Sequence, residues 1–228
     1  MMRSLKKENI DYHGGSTGEN DISSAYSPVI KLYSKTEKNI ESKIFHWPVP
    51  ESYSKFYPKP GEPGAFWEDR EDRFHCGIDI YAAQGASVIA IESGKVIDIG
   101  VFTSPQQNEY WNITYYVIIK TSSNINYKYA ELEDLTLRIG DYVDCGQELG
   151  HLGLVINRDK VKVNVPMYIR EILGSLNLSM LHLELYKAPI TEVRPYSGGN
   201  FFGKEKPESL LNPLAYLPEM KKGDKIIV

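Results

Sequence analysis

Short apolar runs separated by glycines or polar clusters fill the central part of the chain. The runs are rich in β-branched and aromatic residues, which favour β-strands. They are ASVIAIES, GKVIDIGVF, ITYYVIIKT, INYKYAEL and LHLELY. One stretch, PMYIREIL at 166–173, has the character of a helix, and Pro166 suits a first helical turn. The pattern therefore predicts a mainly β fold with one short helix in an insertion.

Two segments of this β region resemble each other. Gly85-x-x-Val88 is followed by Gly94, and a similar unit begins 55 residues later, with Gly140, Val143, Gly146 and Gly150. Repetition of a turn and a strand favours a duplicated motif, here a barrel-sandwich-like repeat of β-hairpins. In a protein with so many glycine turns, such an echo also arises by chance.

The pattern divides the chain into three parts. Residues 1–43 are polar and turn-rich, which predicts a poorly ordered arm. Residues 44–218 hold the predicted strands and are expected to form the domain, with 187–209 as a long surface loop. Residues 219–228 are expected to be a C-terminal tail.

Composition narrows the possible functions. The net charge of the 228-residue chain is −4, which argues against a nucleic-acid-binding protein, since these need a basic face. No apolar run reaches the ~18 residues that span a bilayer. The N-terminus lacks the apolar segment of a signal peptide, so the compartment stays open. Cys76 and Cys145 are expected to be free thiols rather than one disulfide.

The stretch RFHCGIDIY places His75 four residues before Asp79. On an extended strand their side chains would share a face but lie about 13 Å apart, too far to bind one ion. A bend at Gly77, where unusual backbone angles are tolerated, would bring them together.

The stretch MLHLELY alternates in a way that predicts a strand with two different faces. Its leucines would lie on the core side, and Met180, His182 and Glu184 on the other. Alone, this pattern is typical of a half-exposed strand. Together with His75 and Asp79, however, His182 completes an open zinc set of two histidines and a carboxylate. Glu184 could then accept the second ring N–H of the ligand histidine.

The sequence FHCGIDIYAAQGASVIAIESGKVIDIG resembles the signature of the lysostaphin-like (LytM-type) zinc metallopeptidases, which cleave peptidoglycan cross-bridges. Further matches follow in the family's order, namely YVIIKT, YKYAEL, RIGDYVDCGQELGHLG, LHLELY and NPLAYL. The resemblance covers roughly 44–218. It implies a duplicated β-hairpin fold and one Zn²⁺ held by His75, Asp79 and His182. Compared with the family, the chain has insertions at about 154–178 and 187–209, and the first is expected to form a wall or lid beside the site.

Two departures from the family pattern concern catalysis. Members that cleave carry a histidine in a Tyr-x-His-Leu segment and another as the first residue of a His-x-His pair. Here Glu131 and Met180 occupy these positions. Methionine has no titratable group, whereas Glu131 could act as a general base or could bind the metal as a fourth ligand.

These substitutions leave two hypotheses for the function. The first is a non-catalytic binding or regulatory module of bacterial cell-wall metabolism, whose partner is a peptidoglycan peptide or a cell-wall protein. The second is an active zinc endopeptidase on cell-wall peptides, with Glu131 as its base. Members of the family are usually extracytoplasmic.

Overall fold

The computed structural model of the chain describes residues 29–31, 43–54, 56–162, 173–174, 179–188 and 195–227. Within them are fifteen strands. They are β1 Val29–Lys31, β2 Ile44–His46, β3 Phe74–His75, β4 Ile78–Ala82, β5 Ser87–Ile89, β6 Gly94–Thr103, β7 Thr114–Thr121, β8 Ile125–Leu132, β9 Tyr142–Val143, β10 Glu148–His151, β11 Ser179–Lys187, β12 Tyr196–Ser197, β13 Asn200–Phe201, β14 Leu210–Leu211 and β15 Lys225–Ile227.

A seven-stranded sheet forms the centre of the protein. Six of its strands follow the order β14-β11-β8-β7-β6-β9, and β4 pairs with β11 beside this path. Three smaller sheets surround it, with the orders β1-β15-β2, β10-β5 and β12-β13-β3. The long neighbours β6, β7, β8 and β11 are all antiparallel. The prediction of a mainly β fold is confirmed.

The principal core lies on one face of the central sheet and is built by alternation along the strands. Leu181, Leu183 and Leu185 of β11 are all fully buried in it, as the pattern of MLHLELY predicts. Burying a leucine side chain contributes roughly 1.5–3 kcal/mol, so these three residues fix which face of β11 turns inward. The opposite face of β11 is left for polar residues.

The two glycine-valine units have the same local features. Val88 of β5 and Val143 of β9 are both fully buried, and each follows a glycine with positive φ, Gly85 at 79° and Gly140 at 100°. The echo in the sequence therefore marks two similar turns that each lead into a core strand.

Outside the central sheet the described elements are short. An α-helix spans Pro213–Tyr216, with the Asn212 side chain accepting a hydrogen bond from the Leu214 N–H, and a 3-10 turn spans Arg158–Lys160. Apart from its last residue, the helix predicted at 166–173 lies outside the described residues. No helix in the described part is long and apolar enough to cross a membrane.

The first and last strands of the described residues lie in one small sheet. β15 pairs in parallel with β1 and antiparallel with β2, and Ile226 of β15 belongs to the principal core. Most of the predicted arm at 1–43 lies outside the described residues. Ile226 contacts the core because β15 continues the sheet begun by β2, so the segment predicted as a tail contains a packed strand. Cys76 and Cys145 are both free thiols in the structure.

Candidate metal centre

His182 owes its position to β11, which pairs with a strand on each side. Across one edge, His182 is paired with Asp79 of β4, and across the other with Ala130 of β8. Cross-strand partners in an antiparallel pair bring their side chains within about 5 Å of each other. The strand pairing therefore places Asp79 beside His182.

His75 reaches the same point because the chain bends between β3 and β4. At the bend, a Cβ on Gly77 would lie 2.5 Å from the Leu183 carbonyl oxygen, so only glycine allows so close an approach to β11. Gly64 has the same role on the other side of Asp79, where a Cβ would lie 2.7 Å from the Asp79 Cβ. The bend proposed from the sequence is therefore present and requires a glycine.

Three possible ligand atoms converge at this point. His182 Nδ1 lies 2.9 Å from Asp79 Oδ1 and 3.0 Å from His75 Nε2, and His75 Nε2 lies 3.1 Å from Asp79 Oδ1. All three residues are buried, with at most 5% of their surface exposed. Among the described residues, these three side chains are the set of histidine and acidic groups that lie close enough together to hold a metal ion.

The outer nitrogens of both rings have partners of their own. His75 Nδ1 lies 2.8 Å from the Ala65 carbonyl oxygen, and His182 Nε2 lies 2.8 Å from Glu184 Oε1. Because a carbonyl or a carboxylate can only accept, each outer nitrogen donates its proton there. In the neutral rings, His75 Nε2 and His182 Nδ1 then turn their lone pairs toward the Asp79 carboxylate, an arrangement that repels unless a cation lies between them.

The residues present fit a small divalent cation such as Zn²⁺. A tetrahedral zinc ion bound at 2.0–2.1 Å keeps its ligand atoms ~3.4 Å apart, close to the spacing of these three. Two imidazoles and one carboxylate are also the donor types of open zinc sites. The Ala65 carbonyl and Glu184 supply the hydrogen bonds that usually orient ligand histidines.

The groups around the cluster favour an ionised Asp79 and, when no cation is bound, a protonated His182. Burial alone would raise the pKa of Asp79, but attraction to His75 and hydrogen bonds from both imidazoles hold it well below its usual value. Burial likewise opposes a charged His182, yet hydrogen bonds to Asp79 and Glu184 raise its pKa to about 9. A metal ion and a proton therefore compete for His182 Nδ1.

Glu184 is fully buried and accepts hydrogen bonds on both carboxylate oxygens. Oε1 accepts from His182 and from the Tyr196 hydroxyl at 2.5 Å, and Oε2 accepts from the Tyr186 hydroxyl at 2.6 Å and faces Lys128 Nζ at 3.2 Å. Burial would raise the pKa of Glu184, but Lys128 and the hydrogen bonds from His182 and Tyr186 hold it far below its usual value. Glu184 is therefore ionised while buried.

Glu131 lies next to the cluster but outside it. Its backbone has φ of 69°, and its side chain is buried, with Oε2 lacking a hydrogen-bond partner among the described residues. Burial and the nearby negative charge of Asp79 raise the pKa of Glu131 to about 8. The carboxyl is therefore largely protonated at neutral pH when no metal is bound.

Met180 lies on the same face of β11 as His182, opposite Tyr81 of β4, and is half-buried. Its thioether neither accepts nor releases a proton at neutral pH. The two positions at which active family members are expected to carry histidines thus hold a protonated, buried acid and a group without acid–base chemistry.

Three residues that contact the site were not predicted from the sequence. Arg70 lies 3.4 Å from Asp79 Oδ2 and donates to Glu68, and Lys128 and Tyr196 contact Glu184. Tyr196 falls in the stretch 187–209, which was expected to be a surface loop but contains the β12–β13 hairpin. For Lys128, the alternation of INYKYAEL was a usable signal, since it places Lys128 on the polar face of β8.

A known family matches the part of the sequence that carries two of the three clustered side chains. The model of peptidase family M23 matches residues 73–171, a range that includes His75, Asp79 and Glu131 and ends before His182. No curated protein sequence shows significant similarity to the chain.

Several solved structures are similar to the chain. The catalytic domain of the antimicrobial peptidase lysostaphin from Staphylococcus simulans is 19% identical, with 72% of this chain and 88% of that chain covered and a TM-score of 0.39. A catalytic-domain mutant of the prophage-encoded M23 protein EnpA from Enterococcus faecalis is 21% identical, with 72% and 89% covered and a TM-score of 0.39. A zinc-containing peptidase from Vibrio cholerae is 21% identical, with 63% and 37% covered and a TM-score of 0.39.

The family signature begins at Arg73, just before the first of the three clustered side chains, and extends through the strands that carry Asp79 and Glu131. Residues 73–171 of the chain therefore match peptidase family M23.

Proposed function

We propose that this M23 domain holds one Zn²⁺ through His75, Asp79 and His182 and that it binds its ligand without cleaving it. The observation that carries the metal site is the convergence of three acceptor atoms within 3.1 Å in a buried place. In the neutral rings, only a cation at this point satisfies all three.

Cleavage requires residues that accept and donate protons at the site. Zinc, when bound, supplies a Lewis acid that activates water and polarises a peptide carbonyl. A base must still accept a proton, and an acid must give one to the departing amine. Met180 can do neither, and a Glu131 carboxyl that keeps its proton, as its raised pKa favours, cannot accept another.

The expected loss of rate is large. One general acid or base contributes typically 10²–10⁴ in rate, so a site without its base is expected to have about that much less turnover than a complete site. A domain of this kind would act through binding alone. We propose a peptidoglycan peptide or a cell-wall protein as its partner, acting outside the cytoplasm as is usual for the family.

One observation favours an alternative function, a zinc endopeptidase in which Glu131 is the general base. Glu131 Oε2 is buried beside the cluster and has no hydrogen-bond partner in the described part of the chain. A divalent cation nearby would favour the ionised carboxylate by simple attraction. Glu131 would then be free to accept a proton from water.

Metal analysis and a peptidase assay distinguish the two functions. Protein purified without chelators is analysed for zinc by mass spectrometry, and the native chain and Glu131→Gln are assayed on cross-bridge peptides. We expect one zinc per chain in both proteins and no cleavage by either. Zinc-dependent cleavage by the native chain that Glu131→Gln abolishes would establish the alternative. A native chain without stoichiometric zinc would overturn both functions.

A further inference from the structure

We propose that Tyr196 and Lys128 are a positioning pair that acts through Glu184 to hold His182 ready for the metal. The inference rests on the metal site proposed above and adds residues that lie outside the ligand set. Tyr196 lies outside the motifs that carry the family resemblance, and Lys128 lies in YKYAEL, where the resemblance gives it no role.

The orientation of His182 decides whether it can bind a metal. To bind a metal through Nδ1, the ring must keep its proton on Nε2 and must not rotate. Its Nε2 donates to Glu184 Oε1 at 2.8 Å, so the position and charge of Glu184 determine both properties. Partners of this kind typically change metal affinity by roughly 10- to 100-fold when they are removed.

Glu184 in turn depends on Tyr196. The Tyr196 hydroxyl donates to Glu184 Oε1 and accepts hydrogen bonds from Lys128 Nζ at 2.6 Å and from the Gly199 N–H at 3.2 Å. A hydroxyl has one proton and two lone pairs, so all of its hydrogen-bonding capacity is used. Tyr196 therefore has one defined orientation, and it fixes the oxygen that His182 contacts.

Lys128 places a positive charge beside the buried Glu184 carboxylate. Its Nζ lies 3.2 Å from Glu184 Oε2 and is surrounded by three aromatic rings, with centroids 4.8 Å away at Phe102, 5.0 Å at Tyr116 and 4.5 Å at Tyr196. Aromatic faces attract a cation, most strongly when water is excluded. The rings therefore hold the ammonium group at Glu184.

The hairpin that carries Tyr196 is attached to both halves of the metal cluster. Its second strand, β13, pairs with β3 in a register that places Asn200 opposite His75, and the Cys76 N–H donates to the Gly199 carbonyl at 2.8 Å. Gly199 also packs against the His182 ring, where a Cβ would lie 2.7 Å from Nε2. Tyr196 thus links the strand of His75 to the side chain of His182.

The test removes one hydroxyl and measures the metal itself. Tyr196→Phe keeps the ring beside Lys128 and deletes only the hydrogen bonds. Tyr127→Phe is the matched control, because Tyr127 is also buried and its hydroxyl also donates to a buried glutamate, Glu92, at 3.1 Å. The Kd for Zn²⁺ is measured by competition with a chromophoric chelator, and the unfolding of the metal-free proteins is followed in urea.

We expect Tyr196→Phe to raise the Kd for Zn²⁺ roughly 10- to 100-fold. Tyr127→Phe should leave it within twofold of the native value, even if both variants lose similar stability. Lys128→Met, which removes the charge and keeps the stem, should weaken zinc binding at least as much as Tyr196→Phe.

Two patterns of results would overturn the inference. If the native chain binds zinc and Tyr196→Phe leaves the Kd unchanged, or if Tyr127→Phe weakens binding equally, the pair has no positioning role and the proposed metal site still stands. If the native chain binds no zinc, the metal site fails and the inference fails with it.

Discussion

The buried carboxyl of Glu131 should make the metal-free protein less stable as the pH rises. Its pKa is raised to about 8 in the folded chain, against an ordinary value of 4.5. A group whose pKa is higher in the folded state favours folding at low pH and loses that effect as the pH rises through the interval between the two values. Here the interval is 4.5 to 8.

The magnitude follows from the size of this interval. At pH 7 the unfolded chain has Glu131 ionised and the folded chain has it mostly protonated, which costs about 3 kcal/mol at 1.36 kcal/mol per pH unit. At pH 5 the same difference is below ~1 kcal/mol. Glu131→Gln keeps the size of the side chain and removes its titration. The variant should therefore be about 3 kcal/mol more stable than the native chain at pH 7.

Urea denaturation of chelator-treated protein at pH 5 and pH 7 tests this prediction. Glu133→Gln is the control, because Glu133 is exposed and two residues away, and surface substitutions usually change stability by less than ~0.5 kcal/mol. If Glu131→Gln is no more stable than the native chain at pH 7, or if its advantage is the same at both pH values, Glu131 is ionised in the folded protein and the reasoning is wrong.

Two further predictions concern the cluster itself. Zinc binding near pH 7 should release about one proton, because the pKa of His182 is raised to about 9 in the metal-free chain. Calorimetric titrations in two buffers of different ionisation enthalpy measure this number, and a value near zero would mean that His182 is already neutral. Gly199→Ala should destabilise the protein by more than ~1–2 kcal/mol, because Gly199 has φ of 78° and its new Cβ would lie 2.7 Å from His182. Gly223→Ala, at φ of 87° with open space around it, separates the cost of the backbone from the clash, and equal losses in urea denaturation would contradict the packing argument.

The sequence was informative where a local pattern determines structure. Alternation in MLHLELY was enough to predict which face of β11 meets the core, because leucine burial and a period of two leave one solution. The bend at Gly77 could also be predicted, since His75 and Asp79 cannot meet on a straight strand. Both predictions depend on residues close together in the chain.

Contacts between distant segments could not be predicted in this way. Tyr196 and Lys128 are 68 residues apart, and their hydrogen bond depends on how the β12–β13 hairpin folds back on β3. The stretch around Tyr196 is polar and contains two adjacent glycines, which is also typical of an exposed loop. Nothing local distinguishes a loop that leaves the surface from a hairpin that covers a buried glutamate.

The pairing of β11 with strands on both sides has a consequence for folding. A slip of β11 by one residue against β4 and β8 would turn the leucines outward and bring His182 and Glu184 into the core. Only the native register sets His182 opposite Asp79, so only that register brings the three clustered side chains together. A metal ion that binds during folding would therefore stabilise only the correct alignment of the central strands. The metal centre would then help to set the register of the sheet.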